Sequence, residues 1–200
     1  MTVIRLKTQY FVFMIFRWLL DLLQKRSPVN KRRAMGYGMG MTYDELLADT
    51  NDFNVANGFF CLIGNPRGGE FNASFYTPAE RPIMLTWHAN GIIGNGGFQY
   101  LFQAEWPGDL DYSRTVEAHR LLGCRDQVNA FELALKAVAS AEPDDSEEKH
   151  RLFLALPDEE QRRIDRMYFG NHDDGVPERQ IAAYIRANAK QLSHLRGRTS

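Results

Sequence analysis

Asp126-Gln127-Val128-Asn129-Ala130-Phe131-Glu132-Leu133-Ala134-Leu135-Lys136-Ala137-Val138 places Val128, Phe131, Leu135 and Val138 three or four positions apart, with charged and amide side chains between them. At 3.6 residues per turn these four share one face, so the stretch reads as a helix buried along one side. Leu122-Gly123 just before it closes another helix. Gly123 suits the left-handed position after a helix end, Asp111 is placed to cap the start, and Tyr112, Val116, His119 and Leu122 form the apolar side. The pattern continues in both directions. Thr42 and Glu45 form a capping box that opens a helix to about Ala48, and apolar residues run on through Phe53, Phe59, Phe60 and Leu62. Asn65-Pro66-Arg67-Gly68-Gly69 is a turn. Thr77-Pro78-Ala79-Glu80 is a helix start that Pro82 defers by a turn, before Ile83, Leu85, Trp87 and Ala89. Towards the C-terminus, Pro157-Asp158 opens a helix with Gln161 at capping-box spacing from Asp158, and a last helix from Pro177 carries Ile181, Tyr184, Ile185 and Leu192. Strand-like alternation is confined to Glu70–Tyr76, and there is no internal repeat. The expectation is a mainly α single helical domain with an N-terminal amphipathic, hydrophobic helix.

With 44% hydrophobic and 24% charged residues, and 13 Phe, 8 Tyr and 3 Trp among 200 residues, the composition is globular. Cys61 and Cys124, 63 positions apart, exclude a disulfide-dense scaffold and a zinc ribbon and point to a reducing, cytoplasmic setting. The formal charge of −1 conceals a division. Residues 1–35 hold eight Lys/Arg and one acid, a formal +7, while the remaining 165 residues hold sixteen bases and twenty-four acids, −8. The domain reading follows: a basic amphipathic arm with a Gly-rich linker over 1–41, an acidic helical body over 42–196, and a tail over 197–200.

Within the arm, Tyr10 to Leu23 is apolar at twelve of fourteen positions, and Arg17 and Asp21 share a narrow stripe. The run is shorter than the ~20 residues of a membrane span, and no small-residue cleavage site follows it. Three readings stay open. The arm is a helix covering the body or a second copy in a homodimer; or it lies on anionic lipid with Lys25, Arg26, Lys31, Arg32 and Arg33; or translation starts at Met35, Met39 or Met41 and the arm is not native.

Few residues fall in a pattern that carries chemistry. The histidines (His88, His119, His150, His172, His194) stand 22 or 31 residues apart, without metal-ligand spacing, and no metal or cofactor is expected. His119 falls on an apolar helix face as a hydrogen-bonded core histidine, and His172 lies in a turn lacking the carboxylates of a calcium loop. The glycines of Gly64–Gly69 lack the Lys-Ser/Thr of a phosphate loop, and no serine sits in a nucleophile elbow. Acids concentrate instead. Glu142, Asp144, Asp145, Glu147 and Glu148 crowd one stretch, and Asp158, Glu159 and Glu160 open the next helix. First-turn acids are favoured by the helix dipole, so part of this charge is capping; the remainder reads as a surface for a cationic partner.

Asn95-Gly96-Gly97-Phe98-Gln99-Tyr100-Leu101-Phe102 reads as architecture. The glycines permit positive φ or a close helix crossing, Asn95 is suited to satisfy backbone groups at a helix start, and Phe98, Leu101 and Phe102 share a face. This stretch, Pro107-Gly108-Asp109, and Ala118 through Leu122-Gly123 together resemble the DNA mimic protein nineteen family over about Thr77 to Leu195. Ile92 stands where that family commonly has an acid and Gly94 where it commonly has an Asn, which marks a separate branch. The resemblance implies a mainly helical domain whose partner is a DNA-binding or transcription regulatory protein, with no direct binding of nucleic acid by the acidic body. The expected function is therefore non-enzymatic protein interaction, with the eight acids above as the partner-binding surface and Asn95, Gly96, Gly97, Phe98, Tyr100 and Phe102 as a structural motif. The rival readings are a small-molecule enzyme with a pocket near Trp87, His88, Asn95 and Tyr100, and a membrane-surface adaptor acting through residues 1–35.

Overall fold

A computed structural model describes residues 38–68, 70–170 and 176–200. The chain divides into Met1–Gly36 and Tyr37–Ser200. The helix expected in the arm and the turn holding His172 lie outside the described residues.

The described residues form nine α-helices: α1 (Tyr43–Ala48), α2 (Asp52–Gly64), α3 (Arg81–Gly96), α4 (Phe98–Gln103), α5 (Ser113–Leu121), α6 (Arg125–Ala137), α7 (Ser146–Leu154), α8 (Asp158–Phe169) and α9 (Val176–Ala187). Short 3₁₀ turns span Asn65–Arg67, Ala73–Phe75 and Ser193–Leu195. Local chemistry explains several boundaries. Thr42 and Glu45 exchange the two bonds of a capping box at the start of α1. Asn51 accepts from the Phe53 and Asn54 amides to cap α2. Thr77 and Glu80 bond reciprocally one turn before α3, whose helical bonding begins only at Arg81-Pro82. Gly123 takes φ +76° beyond α5, the conformation expected of it.

Two apolar cores share α3. Ile83 and Met84 in its first half pack with Tyr43 and Leu46 of α1, Val55 and Phe59 of α2, and Ile181 and Ile185 of α9. Ala89 and Ile93 in its second half join Phe98 and Phe102 of α4, Phe131 of α6, Phe153 of α7, and Ile164 and Tyr168 of α8. The main helix pairings are α2 with α9, α6 with α8, α4 with α7 and α3 with α5. Gly38–Met41 meets the chain end: the Gly40 amide donates to Ser200 O at 2.8 Å, the Ser200 amide donates to Met41 O at 3.1 Å, and Thr42 bridges Thr199.

Four expectations are corrected. Glu70–Tyr76 is not a strand, because Asn72 accepts from the Ser74 amide and starts a 3₁₀ turn, while the Ala73 amide goes to Pro107 O. Asp109, rather than Asp111, receives the free amides of α5: those of Arg114 and Thr115 reach its carboxylate at 2.8 Å each, while Asp111 takes only that of Ser113. Gln161 makes no capping box with Asp158; its amide donates to Leu156 O at 2.9 Å. Leu192 is buried beyond the end of α9 rather than on it.

Candidate functional site

The Asn95–Phe102 segment is the joint between α3 and α4. Gly97 has φ +75°, a region costly for any side chain, and a Cβ there would lie 2.3 Å from the Asp165 carboxylate. That carboxylate, brought over by α8, accepts the Phe98 amide at 2.9 Å and so serves the free N-terminus of α4. Burial raises the Asp165 pKa above the ordinary carboxylate range, and the Phe98 bond opposes the rise. Gly96 leaves room for the Tyr100 ring, which would be 2.6 Å from a Cβ at that position. Phe98 and Phe102 are fully buried; Phe98 meets Phe131 and Tyr168 edge-on at 5.1 and 5.7 Å between ring centroids. Asn95 does not serve a helix start. It lies in the last turn of α3 and donates to Gly91 O at 2.7 Å. Asp165 carries no local sequence signal, because 67 positions separate it from the amide it holds.

Of the residues suggested for a small-molecule pocket, Trp87 and His88 pack against different rings. Trp87 stands edge-on to Phe53 at 5.2 Å, and His88 stacks on Phe71 at 4.0 Å and lies beside Trp106 at 5.0 Å. Asn95 and Tyr100 remain exposed at the α3–α4 joint. His119 is fully buried: its Nδ1 donates to Thr115 O at 2.8 Å and its Nε2 accepts from the Tyr168 hydroxyl at 3.3 Å. Desolvation pulls both His88 and His119 down to about 4. It also pushes the buried Cys124 thiol up to about 12, far from the thiolate a nucleophile needs. No group of three or more His, Cys, Asp or Glu among the described residues could hold a metal ion.

The eight acids fall into two sets. On α8, Glu159 pairs with Arg166 at 2.8 Å and Arg162 at 3.3 Å, Glu160 with Arg163 at 2.6 Å, and Asp158 with Arg162 at 4.0 Å. These guanidinium groups hold Glu159 and Glu160 below the ordinary carboxylate range. On α7, Glu148 pairs with Arg151 at 2.5 Å. Glu142, Asp144 and Asp145 are exposed and, among the described residues, make no ion pair. Asp145 also caps α7 by accepting the Glu148 amide at 2.8 Å, and Glu147, exposed, lies in the first turn of that helix. The acids are therefore unevenly matched: those of α8 pair with arginines on the same helix, while Glu142, Asp144 and Asp145 make no ion pair among the described residues, Lys149 being a cation that acts on Asp144 and Asp145.

No helix among the described residues is long and apolar enough to cross a membrane. No curated protein and no solved structure matches the chain. A family model described as DMP19-like protein matches residues 74–188, from the 3₁₀ turn before α3 to just beyond α9, and so takes in the Gly97 joint and both acidic stretches. The chain belongs to the DMP19-like family.

Proposed function

We propose that this is a non-enzymatic, cytoplasmic protein-interaction domain that presents fixed negative charge to a cationic partner, and that the partner is a DNA-binding protein whose basic surface it occupies in place of DNA. The observation that carries this reading is the exposed set Glu142, Asp144 and Asp145 before and at the start of α7, which makes no ion pair among the described residues. Carboxylates that make no ion pair among the described residues, and whose nearby cation Lys149 is itself buried, retain more of their field for a partner than those of α8, which are matched by arginines on the same helix. Family membership supports the same reading through the DNA-mimic character that the motif resemblance implies. The partner-binding set is thus the Glu142–Glu148 stretch first, with Asp158, Glu159 and Glu160 contributing less.

Affinity capture from the source cell, with partners identified and washed at stepped salt, tests it. The combination Glu142→Gln, Asp144→Asn and Asp145→Asn leaves the α7 cap in place, since Asn also caps. It is expected to release the partner at lower salt than wild type. Glu159→Gln with Glu160→Gln should have a smaller effect. A partner retained equally by wild type and the triple variant at every salt step contradicts the proposal.

A further inference from the structure

Lys149, in the first half of α7, is 6% exposed, and its ammonium is committed to two backbone carbonyls from different segments: Leu110 O at 2.6 Å and Pro143 O. It also lies 5.0 Å from the centre of the Tyr112 ring. Pro143 belongs to the acidic turn between α6 and α7, and Leu110 to the loop before α5. Four carboxylates act on this ammonium, Asp109 and Asp111 from one segment and Asp144 and Asp145 from the other, against the burial that lowers its pKa. Asp109 is spent on the amides and hydroxyl at the start of α5. Asp111 is exposed and holds only the Ser113 amide and hydroxyl. An open hollow of about 410 Å³ lies along the loop before α5, lined by Gly108, Asp109, Leu110, Asp111, Ser113 and the exposed Arg114 of that segment and by Pro143 alone from the acidic turn, with Leu110 44% exposed.

We propose that Lys149 is the positioning residue of the anionic surface: by clamping the turn before α7 to the loop before α5, it sets Asp111 in one face with Asp144 and Asp145, and a cationic protein segment docks on that joint face. The inference rests on the functional reading above and adds to it a second chain segment and the residue that joins the two. Its sign is diagnostic. Removing a lysine from an anionic face strengthens binding of a cation if charge alone matters. Removing a clamp weakens it, because the carboxylates separate.

The test uses a fluorescein-labelled octa-arginine peptide as probe, followed by anisotropy at low ionic strength with the full chain. Asp111→Asn and Asp144→Asn should each weaken binding about two- to fivefold, the range for a single exposed charge pair. Lys149→Met should weaken it too, despite making the face more negative, and Lys149→Arg should restore most of the loss. Lys149→Met binding equal to or tighter than wild type overturns the proposal, as does an Arg variant no better than Met. Should Lys149→Met fail to fold, Asp111→Asn decides. If that variant binds like wild type while Asp144→Asn is weakened, the joint face is refuted and the functional reading stands. If neither substitution weakens binding, both fail.

Discussion

Gly97 concentrates at one residue what the Asn-Gly-Gly-Phe motif does. A side chain there meets two costs, a positive φ and a carboxylate 2.3 Å from the Cβ position. The first alone is worth about 1–3 kcal/mol, because ψ is −171° and the pair lies in a region essentially confined to glycine. Gly97→Val is therefore expected to destabilise the domain by about 2 kcal/mol or more, read as a lowered midpoint in urea unfolding. A variant with the wild-type midpoint would refute the packing account. The two costs separate in a double-mutant cycle. Asp165→Ala leaves the Phe98 amide without its acceptor but clears the space, so Gly97→Ala should cost less in the Asp165→Ala background than in wild type. Equal costs in both backgrounds would mean the carboxylate is not the obstacle.

Among the elements, α5 depends on one side chain outside it, Asp109. Its turn is tight because Tyr112 adopts φ 60°, unusual for a residue with a side chain, and this carries the Asp109 carboxylate back over the helix end. Asp109 takes two amides and the buried Thr115 hydroxyl, and that hydroxyl in turn accepts Trp106 Nε1–H at 3.0 Å. Asp109→Ala orphans buried donors and should cost about 2–3 kcal/mol, while Asp111→Ala, on an exposed carboxylate, should cost about 1 kcal/mol or less. Comparable midpoints for the two variants would place the cap at Asp111 after all. On α8 the spacing of acids and arginines three or four positions apart is enough to explain their pairing, and those exposed pairs carry little stability.

At the scale of the whole molecule, two histidines tie stability to pH. His88 and His119 titrate at about 4 in the folded chain and near the ordinary 6.5 once unfolded, so between those values the unfolded state binds the extra protons. Their stabilising effect is complete above pH 6.5 and is lost as pH falls towards 4, by up to about 3 kcal/mol for each. Urea unfolding at pH 7.5, 6 and 5 should show falling midpoints, and a flat profile would mean that the fold lowers the pKa of neither ring. Glu80 acts in the same direction. Its carboxylate is held below the ordinary range by His194, Thr77 and Arg67 against its own burial, so protonating it at low pH costs further stability.

What the sequence alone determined is whatever the chain settles within one or two turns: the helical class, the Thr42–Glu45 box, the Gly123 stop, the deferred start at Arg81 and the burial of Phe98, Leu101 and Phe102. Periodicity and capping are short-range effects, so local spacing suffices to read them. At Glu70–Tyr76 the Asn72 side chain takes the Ser74 amide and the Ala73 amide goes to the distant Pro107 O, while at α5 Asp109 and Asp111 take different amides, and local spacing does not say which carboxylate receives which. Only the tertiary structure decided that Asp165 occupies the space Gly97 leaves, that Lys149 reaches the Leu110 carbonyl 39 positions away, and that carboxylates of both segments, Asp111 as well as Asp144 and Asp145, act on its ammonium. Those outcomes depend on which helices pack together, and a carboxylate acquires a counter-ion or an amide from a distant segment only after the two cores have formed.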